Sequence, residues 1–319
     1  MKLLIFPFIK GMLTMRLIIV GNGFDLHHGM KTRAKDYCEY LKSYNPRALE
    51  SIINSPYFNG CCRDILDGDD VFWSDVESNL SFDYEKIIDD MLCFVDTSMM
   101  SNDEDYADDY SYDDGIALLK KLDEIYTSFT SSLLDDWIKH IELFDEKPLN
   151  KVLLESDDLF VSLNYTRTLE EVYHISNDRI LHLHGCHGSN SEGLLQFGNT
   201  QQTAGKIREI YNEKLSKDVR FERISESEIE ELEDFAESMS KNLERNIPNL
   251  MRFLEKKKIT EVVIMGHSYL KSDWLYYEKV FLPKYSSAKW TIYCYAPNEY
   301  DDAKDFFSRN KLDGKIKRW

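Results

Sequence analysis

Short apolar runs recur along this chain, each closed by a glycine or a polar turn. Six of them read as core strands: Leu17–Val20, Leu159–Leu163, Ile180–His184, Leu194–Phe197, Glu261–Met265 and Trp290–Tyr295. Runs of this length, apolar or alternating and bounded by turn residues, suit buried strands better than helices. One lies near the amino terminus and five lie beyond residue 155. Between them the period changes. Ile87, Ile88, Met91, Leu92 and Val95 repeat at helical spacing, as do Leu118, Leu119, Leu122, Ile125, Phe129, Leu133 and Trp137. A second helical stretch covers Ser225 to Lys258, with Leu243, Ile247, Leu250 and Leu254 on one stripe. Strands separated by about a hundred helical residues imply an α/β fold, with a mostly parallel sheet and large helical insertions. The expected organisation is a core of 15–32 plus 156–319, a helical insertion over 33–155, and a short extension over 1–14.

Composition refines this picture in two places. Hydrophobic residues make up 43% of the 319 positions, enough for a sizeable core. The formal net charge is −18, from 57 acidic and 39 basic residues, a field that repels phosphate backbones and disfavours nucleic acid as a partner. The basic cluster Lys256–Lys258 is too short to reverse that. Asn102 to Gly115 is acidic and reads as a solvated loop. Cys38, Cys61, Cys62, Cys93, Cys186 and Cys294 form no C-x-x-C pair, which fits a reducing cytoplasm. The apolar start is broken by Pro7, Lys10 and Gly11 and lacks a cleavage site, so it does not read as a signal peptide; Met15 is an alternative start. No segment reaches the ~20 apolar residues that span a bilayer.

The candidate chemistry sits where strands end. Arg16 to Gly29 drives a β-branched run into Gly21-Asn22-Gly23, then Phe24, Asp25 and Gly29. Glycines at a strand's carboxyl end allow close backbone approach to a phosphate, although G-x-G-x-x-x-x-x-G is not the dinucleotide fingerprint. Asn164, followed by Tyr165 and Thr166, can hold a hydroxyl or a water with both carboxamide atoms. Asn164 or Thr166 would serve equally as a helix cap. His182, His184 and His187 cluster within six residues. No further ligand motif accompanies them, so zinc is disfavoured. His184, followed by Gly185, fits a general base that titrates near neutral pH, and a hydrogen-bonded structural role is as good a reading of His182 and His187. Gly266-His267-Ser268, with Asp273 beyond, opens a further strand end. It lacks the G-x-S-x-G elbow, which disfavours a Ser268–His184–Asp273 esterase triad. Trp73 and Glu77 share one helical face, as any amphipathic helix would allow.

Together these blocks resemble the AbiH family of bacteriophage abortive-infection proteins. The matching segments are Ile19–Leu26 with Gly29 and Thr32, Trp73–Glu77, Asn164–Glu170, His182–Gly185, Phe197-Gly198, and Met265–Ser268 with Asp273. More distantly the pattern is similar to the sirtuin fold and to sirtuin-like NAD hydrolases of antiphage systems. That likeness implies a Rossmann-like sheet with NAD, or a related nucleotide, as substrate or ligand, and no metal. It implies contacts from Gly21, Asn22, Gly23, Phe24, Asp25, Thr32, Asn164, Tyr165, Thr166, Gly266, His267, Ser268 and Asp273. His184 matches the catalytic histidine of the sirtuin H-G pair, and Asn164 the asparagine of its N-x-D motif. Thr166 stands where that motif has aspartate, and the sirtuin zinc cysteines are absent, so protein deacylation is not implied. The implied role is an antiphage effector that cleaves the nicotinamide–ribose bond. The alternative is a nucleotide-binding sensor without turnover, acting through partner proteins. The phage trigger is not specified, and a homo-oligomer is compatible with either role.

Overall fold

The computed structural model describes residues 15–58, 81–100, 110–141, 154–155, 157–187, 195, 204–239, 243–267, 273–295 and 297–319. Its strands form one six-stranded, wholly parallel sheet in the order β3-β2-β1-β4-β5-β6. These are β1 Met15–Val20, β2 Leu159–Ser162, β3 Ile180–His182, β4 Ile259–Met265, β5 Lys289–Cys294 and β6 Gly314–Arg318. From β1 the chain builds outward one way to β2 and β3, then returns to place β4, β5 and β6 on the other side. The crossovers therefore diverge between β1 and β4, and a parallel sheet opens a crevice at the carboxyl ends of such strands.

The strand sequences explain this placement. β1 is central, and Leu17, Ile18, Ile19 and Val20 are buried on both faces. A strand covered on both sides has no use for alternation, so it reads as a continuous apolar run. Ile18 and Val20 pack with Phe24, Phe160, Leu169, Val263 and Met265 in one cluster. At the opposite end of the sheet, Arg16 grips the buried Asp158 just before β2. Its Nε donates to Oδ1 at 2.8 Å and a terminal nitrogen donates to Oδ2 at 2.6 Å. β6 forms the outer edge, and Lys315, Lys317 and Arg318 are exposed. Charged side chains on an edge strand oppose pairing with another chain.

Contacts divide the chain into two compact units: Met1–Met30, Leu143–Leu183 and Glu244–Trp319 in one, Lys31–Glu142 and His184–Leu243 in the other. The first holds the sheet. The second is helical among its described residues. Its helix Tyr84–Met100 buries Ile87, Ile88, Met91, Leu92 and Val95. The helix Tyr110–Thr127 runs on through a π-helical turn, Ser128–Ser132, into Leu133–His140. On this stretch Tyr126 is buried with Leu122 and Phe129, whereas Ile125 is only half-buried. Tyr37 donates its hydroxyl to the Phe129 carbonyl and stacks on Trp137. Helix Glu226–Ser238 begins with a reciprocal Ser225–Glu228 capping box.

Several elements differ from the sequence reading. The single helical stretch over 225–258 is two helices, Glu226–Ser238 and Leu243–Phe253, and Asn246 rather than Ile247 is buried on the second. Residues 110–115, expected within an acidic loop, are helical. β6 and the helix Ala204–Lys217 were not legible, being largely charged. Leu194, Gln196 and Phe197 of one expected strand, Trp73–Glu77, Ser268, and most of the acidic stretch (102–109) lie outside the described residues, and Leu195 is described without strand structure. Among the described residues, no helix is long and apolar enough to cross a membrane.

Candidate functional site

Within the sheet-bearing unit, the turns after β1, β2 and β4 converge at the carboxyl ends of the strands. The turn after β1 is tied to the turn after β4 by backbone bonds. Gly21 N donates to the Met265 carbonyl at 3.0 Å, and Gly23 N to the Gly266 carbonyl at 2.8 Å. Phe24 N donates to the Gly21 carbonyl at 2.9 Å, closing the first turn of the helix Asn22–His27. The glycines allow this approach. A Cβ on Gly23 would lie 2.7 Å from Gly266 Cα, and one on Gly21 would lie 2.7 Å from the Gly266 carbonyl oxygen. Gly266 itself has φ +63, and a Cβ there would fall 2.1 Å from Phe24 N. Backbone packing alone thus accounts for these three glycines. The amide hydrogens of Gly21, Gly23 and Phe24 are already engaged.

The turn after β2 supplies the polar core of the site. Ser162 Oγ accepts from Asn164 N at 3.2 Å, holding the chain as it leaves the strand. Asn164 is buried, and its Nδ2 donates to the Gly21 carbonyl at 3.0 Å. The helix cap next along the chain is Arg167, without a side-chain cap bond, so Asn164 is not a capping residue. Thr166 and Thr168 donate their hydroxyls to the two oxygens of Asp25, at 2.6 and 2.7 Å. Asp25 is 1% exposed. Burial pushes its carboxyl up to about 6, against the opposing pull of hydrogen bonds from Thr166, Thr168 and the Asn164 side chain and of the nearby His182.

These contacts leave one atom over. Asn164 Oδ1 is buried and has no hydrogen-bond partner among the described residues. Turning the carboxamide over would not help, because it would set Oδ1 against the Gly21 carbonyl, an acceptor. A buried, unmet acceptor costs about 1–3 kcal/mol and marks a place where a hydroxyl, amine or water is expected.

The flanks are also polar. His182, at the end of β3, faces Glu170 through Nε2 at 3.0 Å and the Asn164 carbonyl through Nδ1 at 3.3 Å. On the β4 side His267 lies between Asp273 (Nε2 to Oδ2, 3.3 Å) and the Tyr277 hydroxyl (Nδ1 to Oη, 3.2 Å). Burial, with Asp273 close by, holds the Tyr277 phenol well above its ordinary range. Tyr277 opens a π-helical segment, Tyr277–Phe281.

The residues expected at the site therefore take different places. Gly21, Gly23, Asp25, Asn164, Thr166 and Gly266 meet in one junction, with His267 and Asp273 on its β4 flank. Asn22 is exposed and Tyr165 half-buried at its rim. The Phe24 side chain is part of the core, packed on His28 and Tyr173. Thr32 and His184 are buried and group with the helical unit; His184 follows β3 by two residues in the chain. Thr168, His182, Glu170 and Tyr277 were not singled out as site residues. The hydroxyl spacing Thr166-x-Thr168 was the available signal for the first of them.

This fold and site define an α/β protein with a wholly parallel sheet and a polar junction at its switch point. The chain belongs to the family described as "Bacteriophage abortive infection AbiH", which matches residues 17–294. Neither the curated proteins nor the solved structures give a match to it.

Proposed function

We propose that this is an antiphage abortive-infection effector with a Rossmann-like, sirtuin-like core that binds NAD or a related nucleotide at the carboxyl edge of the sheet. The observation that carries the reading is the buried, unmet Asn164 Oδ1 beside the β1 turn, in the place where doubly wound sheets take nucleotides. A ribose hydroxyl is the kind of donor this acceptor needs. The family supports the abortive-infection role, and the strand order β3-β2-β1-β4-β5-β6 supports the doubly wound assignment.

In this reading the chemistry is hydrolysis of the nicotinamide–ribose bond, depleting the cofactor on infection. The bond breaks toward nicotinamide, and positive charge develops at the ribose carbon as a water adds there. Asn164 orients the ribose or the attacking water, and the proton of that water calls for a general base, the role expected of His184. Gly21, Asn22, Gly23, Tyr165 and Gly266 frame the ligand, with Asp273 and His267 beside them. The test is nicotinamide release from NAD by the purified protein, followed by chromatography. The His184→Ala and Asn164→Ala variants should each be about 10²–10⁴-fold slower. Wild-type turnover by His184→Ala would rule out that assignment.

A second reading, a nucleotide sensor without turnover, is favoured by one observation. Both oxygens of Asp25 are taken by threonine hydroxyls, and the sirtuin aspartate position is Thr166, so the junction presents no open carboxylate. Tight nucleotide binding without nicotinamide release would select it.

A further inference from the structure

A nucleotide brings phosphate charge to this edge of the sheet, and the glycine turn is poorly placed to receive it. In a dinucleotide fold the backbone amides after the first strand cradle the phosphates. Here the amides of Gly21, Gly23 and Phe24 already donate to the carbonyls of Met265, Gly266 and Gly21. The chain as a whole, at a net charge of −18, repels phosphate. A phosphate seated here therefore needs a side-chain cation.

Across the described residues of the three turns (21–30, 163–171, 266–267 and 273–277), Arg167 is the only lysine or arginine. It stands between Thr166 and Thr168, the two residues bonded to Asp25, and leads into the helix Thr168–Glu171. Its side chain is 31% exposed, and its guanidinium makes no hydrogen bond among the described residues. The nearest carboxylates are Glu170 and Glu171. Both approach the Nε side, at 3.9 and 4.0 Å, close enough to hold the charge and too far to bond it. The Glu170 oxygen on that side is taken by His182 at 3.0 Å. A guanidinium that is two-thirds covered and has none of its donors met is waiting for an acceptor.

We propose that Arg167 is the phosphate-binding residue of this site, its planar fork taking two oxygens of the ligand's diphosphate in place of the committed backbone amides. This rests on the nucleotide reading and narrows it. The ligand class is a phosphate-bearing nucleotide, and a nucleoside without phosphate lacks the group that Arg167 holds.

The experiment titrates NAD, inorganic pyrophosphate and adenosine, without added metal, into wild type, Arg167→Gln and Arg167→Lys by calorimetry. Arginine Nε–H signals are followed by NMR in wild type as pyrophosphate is added. The expected result is binding of NAD and pyrophosphate by wild type, with the Arg167 Nε–H signal shifting as pyrophosphate binds. Arg167→Gln should weaken both ligands by about 10- to 100-fold and leave adenosine unchanged. Arg167→Lys keeps the charge without the fork and should fall between. NAD binding by Arg167→Gln that matches wild type would overturn the proposal and leave the nucleotide reading standing. An equal loss for NAD and adenosine would also overturn it, because that marks a structural role. If pyrophosphate binds through Arg167 and NAD does not bind, the nucleotide reading fails and the phosphate site stands. If wild type binds neither, both fall.

Discussion

The buried carboxylate of Asp25 should work against the stability of the fold, and the size of that effect can be worked out. The Asp25 carboxyl lies near 3.8 when unfolded and is pushed up to about 6 in the folded protein, chiefly by burial. The folded state therefore binds this proton more tightly than the unfolded state. Below about pH 4 both states are protonated and the group is neutral in effect. Stability is lost as pH rises toward 6, and above 6 the full cost applies. A difference of roughly two pH units corresponds to about 3 kcal/mol. Asp25→Asn mimics the protonated form: its oxygen accepts from one threonine, and its NH2 donates to the other. The variant should be about 3 kcal/mol more stable than wild type at pH 7.5, and the two should converge below pH 4. Urea unfolding at pH 7.5, 6, 5 and 4, read by circular dichroism, measures this. A less stable Asp25→Asn at neutral pH, or a difference that does not shrink on acidification, would refute the reasoning.

Three further outcomes follow from the same geometry. Gly266→Ala forces a Cβ to within 2.1 Å of Phe24 N at φ +63, so it should cost about 3 kcal/mol or more and separate the β1 and β4 turns, measured by thermal unfolding. Asp158→Asn breaks the two-pronged grip of Arg16 at the opposite end of the sheet and should cost about 2–3 kcal/mol without altering NAD affinity per folded molecule, read by urea unfolding and calorimetry. Tyr277→Phe removes the hydroxyl that faces His267 Nδ1; imidazole signals in the NMR spectrum should show His267 changing tautomer or hydrogen-bond state, with the fold intact.

The legible part of the fold was the part whose environment is uniform. β1 is buried on both faces, so its apolar run and closing glycine were plain, and β2, β4 and β5 followed for the same reason. β6 was not legible because Gly-Lys-Ile-Lys-Arg carries the charges of an exposed edge, and only Ile316 betrays a strand. At the site, the residue types were readable but their partners were not. Asn164 was recognised as a polar residue at a strand end, yet whether it capped a helix or reached another turn depended on contacts 143 residues apart. Asp25 was read as a ligand contact, whereas its burial beneath Thr166 and Thr168 is a tertiary property that no local pattern carries. The glycines were readable as close-approach positions. What approaches them is the β4 backbone, which sequence spacing does not reveal.

The account depends most on the unmet acceptor at Asn164, and calorimetric titration of NAD into wild type and Asn164→Ala tests it most directly. The account predicts binding by wild type and a loss of about tenfold or more in the variant, with both proteins folded. Equal affinity in the two, or no binding by either, would contradict it.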